Sequence, residues 1–166
     1  MCDCYSSCYQ NCYQNCYQNC YNPCDPCTTI YVCKNKHTDC EATIFEATLS
    51  GFMEVPPNQL TATGSLIAVL NADQTKLRFI LTTTGLVNIT AAHFHLAPVG
   101  QNGPIVKTIA IDPLTGRATG TWACNDSEPL TPALVNALLS GGIYVNVHTA
   151  ALPAGAIRGQ LNAVNI

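Results

Sequence analysis

Cysteine is the residue of this chain with the most evident chemistry, because it recurs at a fixed spacing. Six cysteines, from Cys4 to Cys24, lie four positions apart, and three consecutive repeats read C-Y-Q-N. Regularly spaced thiols either form disulfides or bind soft metal ions as thiolates. We therefore predict cross-linking or metal-binding roles for the eleven cysteines: Cys2, Cys4, Cys8, Cys12, Cys16, Cys20, Cys24, Cys27, Cys33, Cys40 and Cys124.

The segment that carries the repeat lacks the residues for an apolar core, because aliphatic side chains are almost absent before Ile30. In an extended chain, a period of four places the repeat cysteines on one face and the tyrosines on the other. We favour disulfide cross-links, since C-x3-C differs from the C-x2-C spacing of zinc knuckles and the odd cysteine count favours bonds between chains. Thiolate binding of zinc, copper or iron and a disordered tail with unused thiols are the alternatives.

Histidine is the second residue type with chemistry to offer. His93 and His95 share one face of a predicted strand, and His148 lies on the face of another strand opposite Val145 and Val147. If the aliphatic residues face the core and the two strands are neighbours, three imidazoles converge away from that core. Three histidines suit zinc or copper(II). The alternative is that these histidines hydrogen-bond to loops and close the end of the domain.

Short β-strands separated by turn signals are the elements that must position the histidines. One helix is also predicted, with Thr131 as N-cap, Pro132 in the first turn and Gly141 just beyond the end. Many short strands at this spacing are typical of an antiparallel β-sandwich or barrel. The predicted strands are Thr43–Leu49, Thr61–Leu70, Lys76–Thr83, Ala92–Ala97, Ile105–Ile111, Ala118–Ala123, Ile143–Thr149 and Ala156–Ala163.

Composition divides the 166 residues into a cysteine-rich extended tail, 1–41, and an all-β domain, 42–166. Charged residues make up 10% of the chain and the net charge is −3, which argues against binding to nucleic acid. No apolar run approaches the ~20 residues of a membrane-spanning helix, so we expect no membrane insertion. The first residues lack the basic and apolar regions of a signal peptide. We nevertheless expect a cell-surface, spore-surface or extracellular location, where disulfides persist.

Five stretches of the domain resemble the CHRD family, the module repeated in chordin: F-E-A-T-L-S-G-F-M-E-V-P-P (45–57), A-A-H-F-H-L-A-P-V-G-Q-N-G-P-I-V (91–106), A-L-L-S-G-G (137–142), I-Y-V-N-V-H-T (143–149) and P-A-G-A-I-R-G-Q-L (153–161). The resemblance covers about 43–163 and excludes the tail. It implies an immunoglobulin-like or superoxide-dismutase-like β-sandwich with no established general catalytic role. The H-x-H pair also resembles the copper ligands of Cu/Zn superoxide dismutase, whose other ligands have no counterpart here.

Residues typical of enzyme active sites do not form a catalytic pattern. Ser50, Ser65 and Ser140 lack the context of a nucleophile elbow, and Glu46 and Glu54 read as a strand residue and a turn residue. We therefore expect no enzymatic activity.

Three functions follow as hypotheses. The first is a structural subunit that self-assembles into a disulfide-cross-linked filament, spore appendage or coat through its tail. The second is a protein that binds copper, zinc or iron through the tail thiolates, the three histidines or both. The third, based on analogy with chordin alone, is a ligand-binding module for a secreted partner.

Overall fold

A computed structural model describes residues 42–164 of the chain. These residues form nine strands, one α-helix and a short 3-10 helix at Gly51–Met53. The predicted tail, 1–41, and the roles predicted for its ten cysteines lie outside the described residues. The strands are β1 (Thr43–Ser50), β2 (Thr63–Leu70), β3 (Lys76–Thr84), β4 (Ile89–Leu96), β5 (Ile105–Ile109), β6 (Arg117–Ala123), β7 (Ile143–Thr149), β8 (Ile157–Gln160) and β9 (Asn162–Ala163), and the helix is α1 (Pro132–Leu139).

The strands form one antiparallel sheet in the order β5-β4-β7-β8-β1-β2-β3-β6, with β9 also paired to β1. The all-β, antiparallel prediction is therefore confirmed, and the strand ends differ from the predicted ones by three residues or fewer. The last predicted strand is divided at Leu161 into β8 and β9. A single residue pair, Ser50 with Arg158, joins β1 to β8. This narrow junction lets the two halves of the sheet fold face to face, like the layers of a sandwich.

Aromatic side chains fill the space between the two halves. The ring of Phe94 on β4 meets Phe79 edge-on, with 5.2 Å between centroids, and stacks on Trp122 at 5.5 Å. Because β3 and β6 belong to one half and β4 to the other, these contacts hold the halves together. Phe94 and Trp122 are fully buried, so each contributes the large apolar burial that stabilises such cores.

Side chains rather than backbone pairing close the sheet between its two end strands, β5 and β6. Lys107 Nζ on β5 lies 2.8 Å from Asp126 Oδ2, just after β6. Glu128 accepts hydrogen bonds from the backbone N–H and the hydroxyl of Thr108, both at 2.9 Å. We call this line of contacts the β5–β6 seam.

Helix α1 has the ends that the sequence predicts. The Thr131 side chain accepts a hydrogen bond from Leu134 N, Pro132 occupies the first turn, and Gly141 follows the C-terminus with a φ of 73°. Val135 and Leu138 are buried against the core, which orients the helix. Among the described residues, no helix has the length and apolar character needed to cross a membrane.

Candidate metal centre

The register of β4 and β7 places the three histidines on one face of the sheet. These strands are antiparallel neighbours, with His93 opposite Asn146 and His95 opposite Tyr144. His148 lies opposite Ala91, one diagonal step from His93. One nitrogen from each imidazole lies within 4.8 Å of the other two. The strand adjacency on which the predicted convergence depended is therefore present.

The histidines face away from the apolar core, but two of them are not exposed. His95 and His148 are each only 8% exposed, whereas His93 is half-buried. Every residue of β7 is buried, because loops cover the sheet face opposite the core. The sequence pattern predicts which face the imidazoles occupy. It does not reveal that loops enclose this face.

Backbone carbonyls fix the tautomers of two imidazoles. His95 Nδ1 lies 3.0 Å from the carbonyl oxygen of Gly103, and His148 Nδ1 lies 3.0 Å from that of Pro153. A carbonyl only accepts hydrogen bonds, so both Nδ1 atoms carry the proton and both Nε2 atoms present a lone pair. A hydrogen bond from the second ring nitrogen to a carbonyl is the usual way that proteins orient a metal-binding histidine.

The two Nε2 lone pairs differ in their hydrogen-bond partners. His148 Nε2 lies 3.0 Å from His93 Nδ1, which therefore carries a proton and donates it to this acceptor. His95 Nε2 is buried and has no hydrogen-bond partner among the described residues. An unsatisfied buried acceptor costs about 1–3 kcal/mol of stability, so this atom is suited to a bound group.

The electrostatic environment keeps the imidazoles neutral. Burial lowers the pKa of His93, His95 and His148 below the usual value of 6.5. Mutual repulsion between protonated rings lowers the pKa of His93 and His95 further, whereas the carbonyls of Gly103 and Pro153 partly oppose the effect at His95 and His148. Neutral imidazole is the form that binds a metal ion.

Comparison with protein families identifies the domain that carries this cluster. The CHRD domain model matches residues 45–161, which include strands β2 to β8 and all of β1 except its first two residues, whereas β9 follows the match. This chain belongs to the CHRD family. No curated protein matches the chain. The three histidines lie within the matched residues, whereas the cysteine repeat lies outside them.

The CHRD domain supports its histidines with a stack of planar groups. The Tyr144 ring lies parallel to that of His95, with 4.8 Å between centroids, and the Arg158 guanidinium lies 3.5 Å from the Tyr144 ring centre. The Tyr144 hydroxyl accepts a hydrogen bond from Gly103 N, the residue whose carbonyl holds His95. The ring of His95 is thus fixed at its face and at its Nδ1 atom.

Glu54 is a buried acid of the CHRD domain that the sequence does not identify. Its side chain is 6% exposed, and Asn146 Nδ2 donates to its Oε2 at 3.3 Å. Burial raises the pKa of Glu54 from 4.5 to about 7, although the Asn146 hydrogen bond and the charge of Arg158 oppose this rise. A Cβ at Gly155 would lie 2.6 Å from the Glu54 carboxylate, so glycine is required there. Glu54, which the sequence predicts as a turn residue, is therefore a buried polar side chain beside Asn146.

Cys124 is the predicted cross-linking residue that falls within the described part of the chain. It follows β6 directly, is half-buried and is disulfide-bonded. Its backbone N–H donates to the carbonyl oxygen of Thr75. The structure does not bring Cys124 together with the histidines, because the metal-ligand cluster of the described residues contains His93, His95 and His148 alone.

Proposed function

We propose that the CHRD domain of this chain is a metal-binding module that holds one zinc or copper(II) ion with His93, His95 and His148. The observation that carries this proposal is the buried lone pair of His95 Nε2, which has no partner in the described chain and points into a three-imidazole cluster. Two of the rings already have the tautomer that metal binding through Nε2 requires.

The dimensions of the cluster fit such an ion after small movements. Zinc–nitrogen bonds of about 2.1 Å in a tetrahedral site place the ligand atoms roughly 3.4 Å apart. The three nitrogens lie within 4.8 Å of one another, and the closest pair, from His93 and His148, is 3.0 Å apart. Side-chain rotations that move the ligand nitrogens by up to about 1 Å bring these atoms to this spacing. Binding through His93 Nδ1 would move the proton of this neutral ring to its Nε2 atom, with no net release of a proton.

Metal titration of the full chain tests this function. The thiols are first alkylated, so that the tail cysteines do not contribute, and zinc binding is measured by calorimetry. We expect one zinc per chain, and at least a tenfold loss of affinity in His95→Ala. His37→Ala, which removes an imidazole outside the CHRD match, serves as the matched control. Equal zinc affinity in wild type and His95→Ala would overturn the proposal.

A second function, supported by the cysteine repeat, is that of a structural subunit in a cross-linked assembly at a cell or spore surface. The regular C-x3-C spacing and the odd number of cysteines favour bonds between chains. CHRD domains are typically extracellular, where disulfides persist. The outer face of β2 and β3 adds an apolar surface for self-association, because Ile67 and Ile80 are 52% and 56% exposed.

Electron microscopy before and after strong reductant, with metal analysis of the same sample, tests this second function. Filaments or high oligomers that dissociate on reduction would support the structural subunit. A monomer in the absence of reductant would contradict it. The result does not depend on the histidines, so His95→Ala should assemble like the wild type.

A further inference from the structure

Among the described residues, the three-histidine cluster supplies three ligands and leaves one side of a bound ion without a fourth. We propose that a metal ion at this site keeps one coordination position open beside His93, and that this position takes an exogenous small ligand, either water or a small anion. This inference rests on the proposed metal-binding function and adds the class of ligand that the bound metal would accept.

The number of donors is the first argument. Within residues 42–164, the cluster brings together three ligand atoms and no carboxylate or thiolate. Zinc and copper(II) bind at least four ligands, and a zinc site with three protein ligands completes its coordination with water or substrate. The described residues offer no fourth ligand, and the proposal assigns that position to a ligand from solution.

The position of Glu128 is the second argument, because it is the acid that acts electrostatically on His93. Both of its carboxylate oxygens are already engaged: Oε2 accepts from Thr108 N and Oε1 accepts from the Thr108 hydroxyl, each at 2.9 Å. These bonds hold the carboxylate on β5, the strand next to His93. Glu128 therefore adds negative charge near the site but stays outside the ligand cluster.

Burial shows which side of the ion is open. His95 and His148 are 8% exposed and are held by loop carbonyls, so the protein covers the ion on their side. His93 is half-buried, so it is the ligand beside which the described residues leave the ion uncovered. Three neutral imidazoles and one nearby carboxylate also leave a divalent ion with net positive charge, so a small anion is attracted despite Glu128.

Azide binding to the copper(II)-loaded full chain tests the inference, with the thiols alkylated. Copper stoichiometry is measured first, and azide is then added while the azide-to-copper charge-transfer absorption is recorded. We expect a saturable band that corresponds to one azide per copper. Glu128→Gln should raise the azide affinity by roughly fivefold at low salt and less at high salt, because it removes a nearby negative charge. Glu46→Gln, which removes an exposed carboxylate on β1 in the other half of the sheet, should not change it.

Three other outcomes would overturn the inference, and they differ in what they say about metal binding. One copper per chain with no azide band in either the wild type or Glu128→Gln would show that the protein fills the position, and would overturn the inference while leaving metal binding intact. A band in Glu128→Gln alone would identify Glu128 as the fourth ligand, and would also overturn it. Failure to bind copper would overturn both this inference and the proposed function.

Discussion

Replacement of Glu54 by glutamine should stabilise the domain in neutral solution and leave its stability in acid nearly unchanged. Glu54 is buried beside Asn146, and its folded-state pKa is about 7 against 4.5 for the free side chain. Between these values the folded state binds more protons than the unfolded state. The free energy of unfolding therefore falls as the pH rises from about 4.5 to about 7, and the full loss is present above pH 7.

The size of this loss follows from the two pKa values. Each pKa unit corresponds to 1.36 kcal/mol, so the change from 4.5 to about 7 gives at most about 3 kcal/mol. Glutamine has nearly the same shape, carries no charge and keeps an oxygen to accept from Asn146 Nδ2. Glu54→Gln should thus gain up to about 3 kcal/mol at pH 8, or roughly 10 °C in Tm, and almost nothing at pH 4.

Trp122 provides the assay, because it is the single tryptophan of the chain and is fully buried. Urea unfolding followed by its fluorescence, with a chelator present, should be measured for both proteins at pH 4, 6 and 8. The three histidines, whose pKa values are lowered, destabilise the fold as the pH falls below 6.5, but they do so equally in both proteins. The difference in unfolding free energy between the two proteins therefore reports the titration of Glu54.

Glu46→Gln is the matched control, because Glu46 is an exposed carboxylate on β1. Its stability should parallel that of the wild type at all three pH values. A stability difference between Glu54→Gln and wild type that is the same at pH 4 and pH 8 would refute the reasoning. So would a Glu54→Gln variant that is less stable than the wild type at pH 8.

Three further predictions concern the metal centre and the helix. Gly103→Ala should lose about 1–3 kcal/mol of stability in urea unfolding, because its Cβ would overlap the Leu96 carbonyl. It should also weaken zinc binding by about 10–100-fold in calorimetry, because the Gly103 carbonyl orients His95; unchanged affinity would contradict this role. The apparent zinc affinity should stay constant from pH 8 to pH 6.5 and fall only in more acidic solution, because all three imidazole pKa values are lowered; a fall that begins at pH 7.5 would contradict this. Thr131→Ala should cost about 1 kcal/mol in urea unfolding through loss of the helix cap, whereas the neutral exchange Thr131→Ser should not.

The sequence predicts the features that depend on local patterns. Alternating residues around His93 and His148 identify which side chains share a face, because successive residues of a strand point to opposite sides. The cap at Thr131 and the glycine at 141 locate the helix in the same way. These features need only neighbouring residues, and the structure agrees with them.

The remaining features depend on contacts between distant residues. Glu54 is buried by packing against Asn146, 92 positions away, and Arg158 joins the two halves of the sheet through its pairing with Ser50. No local pattern in the sequence encodes such contacts. The same holds for the Gly103 and Pro153 carbonyls, which decide the histidine tautomers and belong to loops rather than to periodic elements.

The β5–β6 seam bears on how quickly a metal ion at the proposed site would exchange with solution. Among the described strands, β5 pairs through its backbone only with β4, and its other edge is held by the Lys107–Asp126 ion pair and the Thr108–Glu128 bonds. Ion pairs near the surface contribute little and are screened by salt, so β5 is held less firmly than the inner strands β4 and β7. Its amide hydrogens should exchange with deuterium faster than those of β4 or β7. Because β5 lies beside His93, this local opening would give an ion at the proposed metal site a route in or out while the aromatic core stays folded.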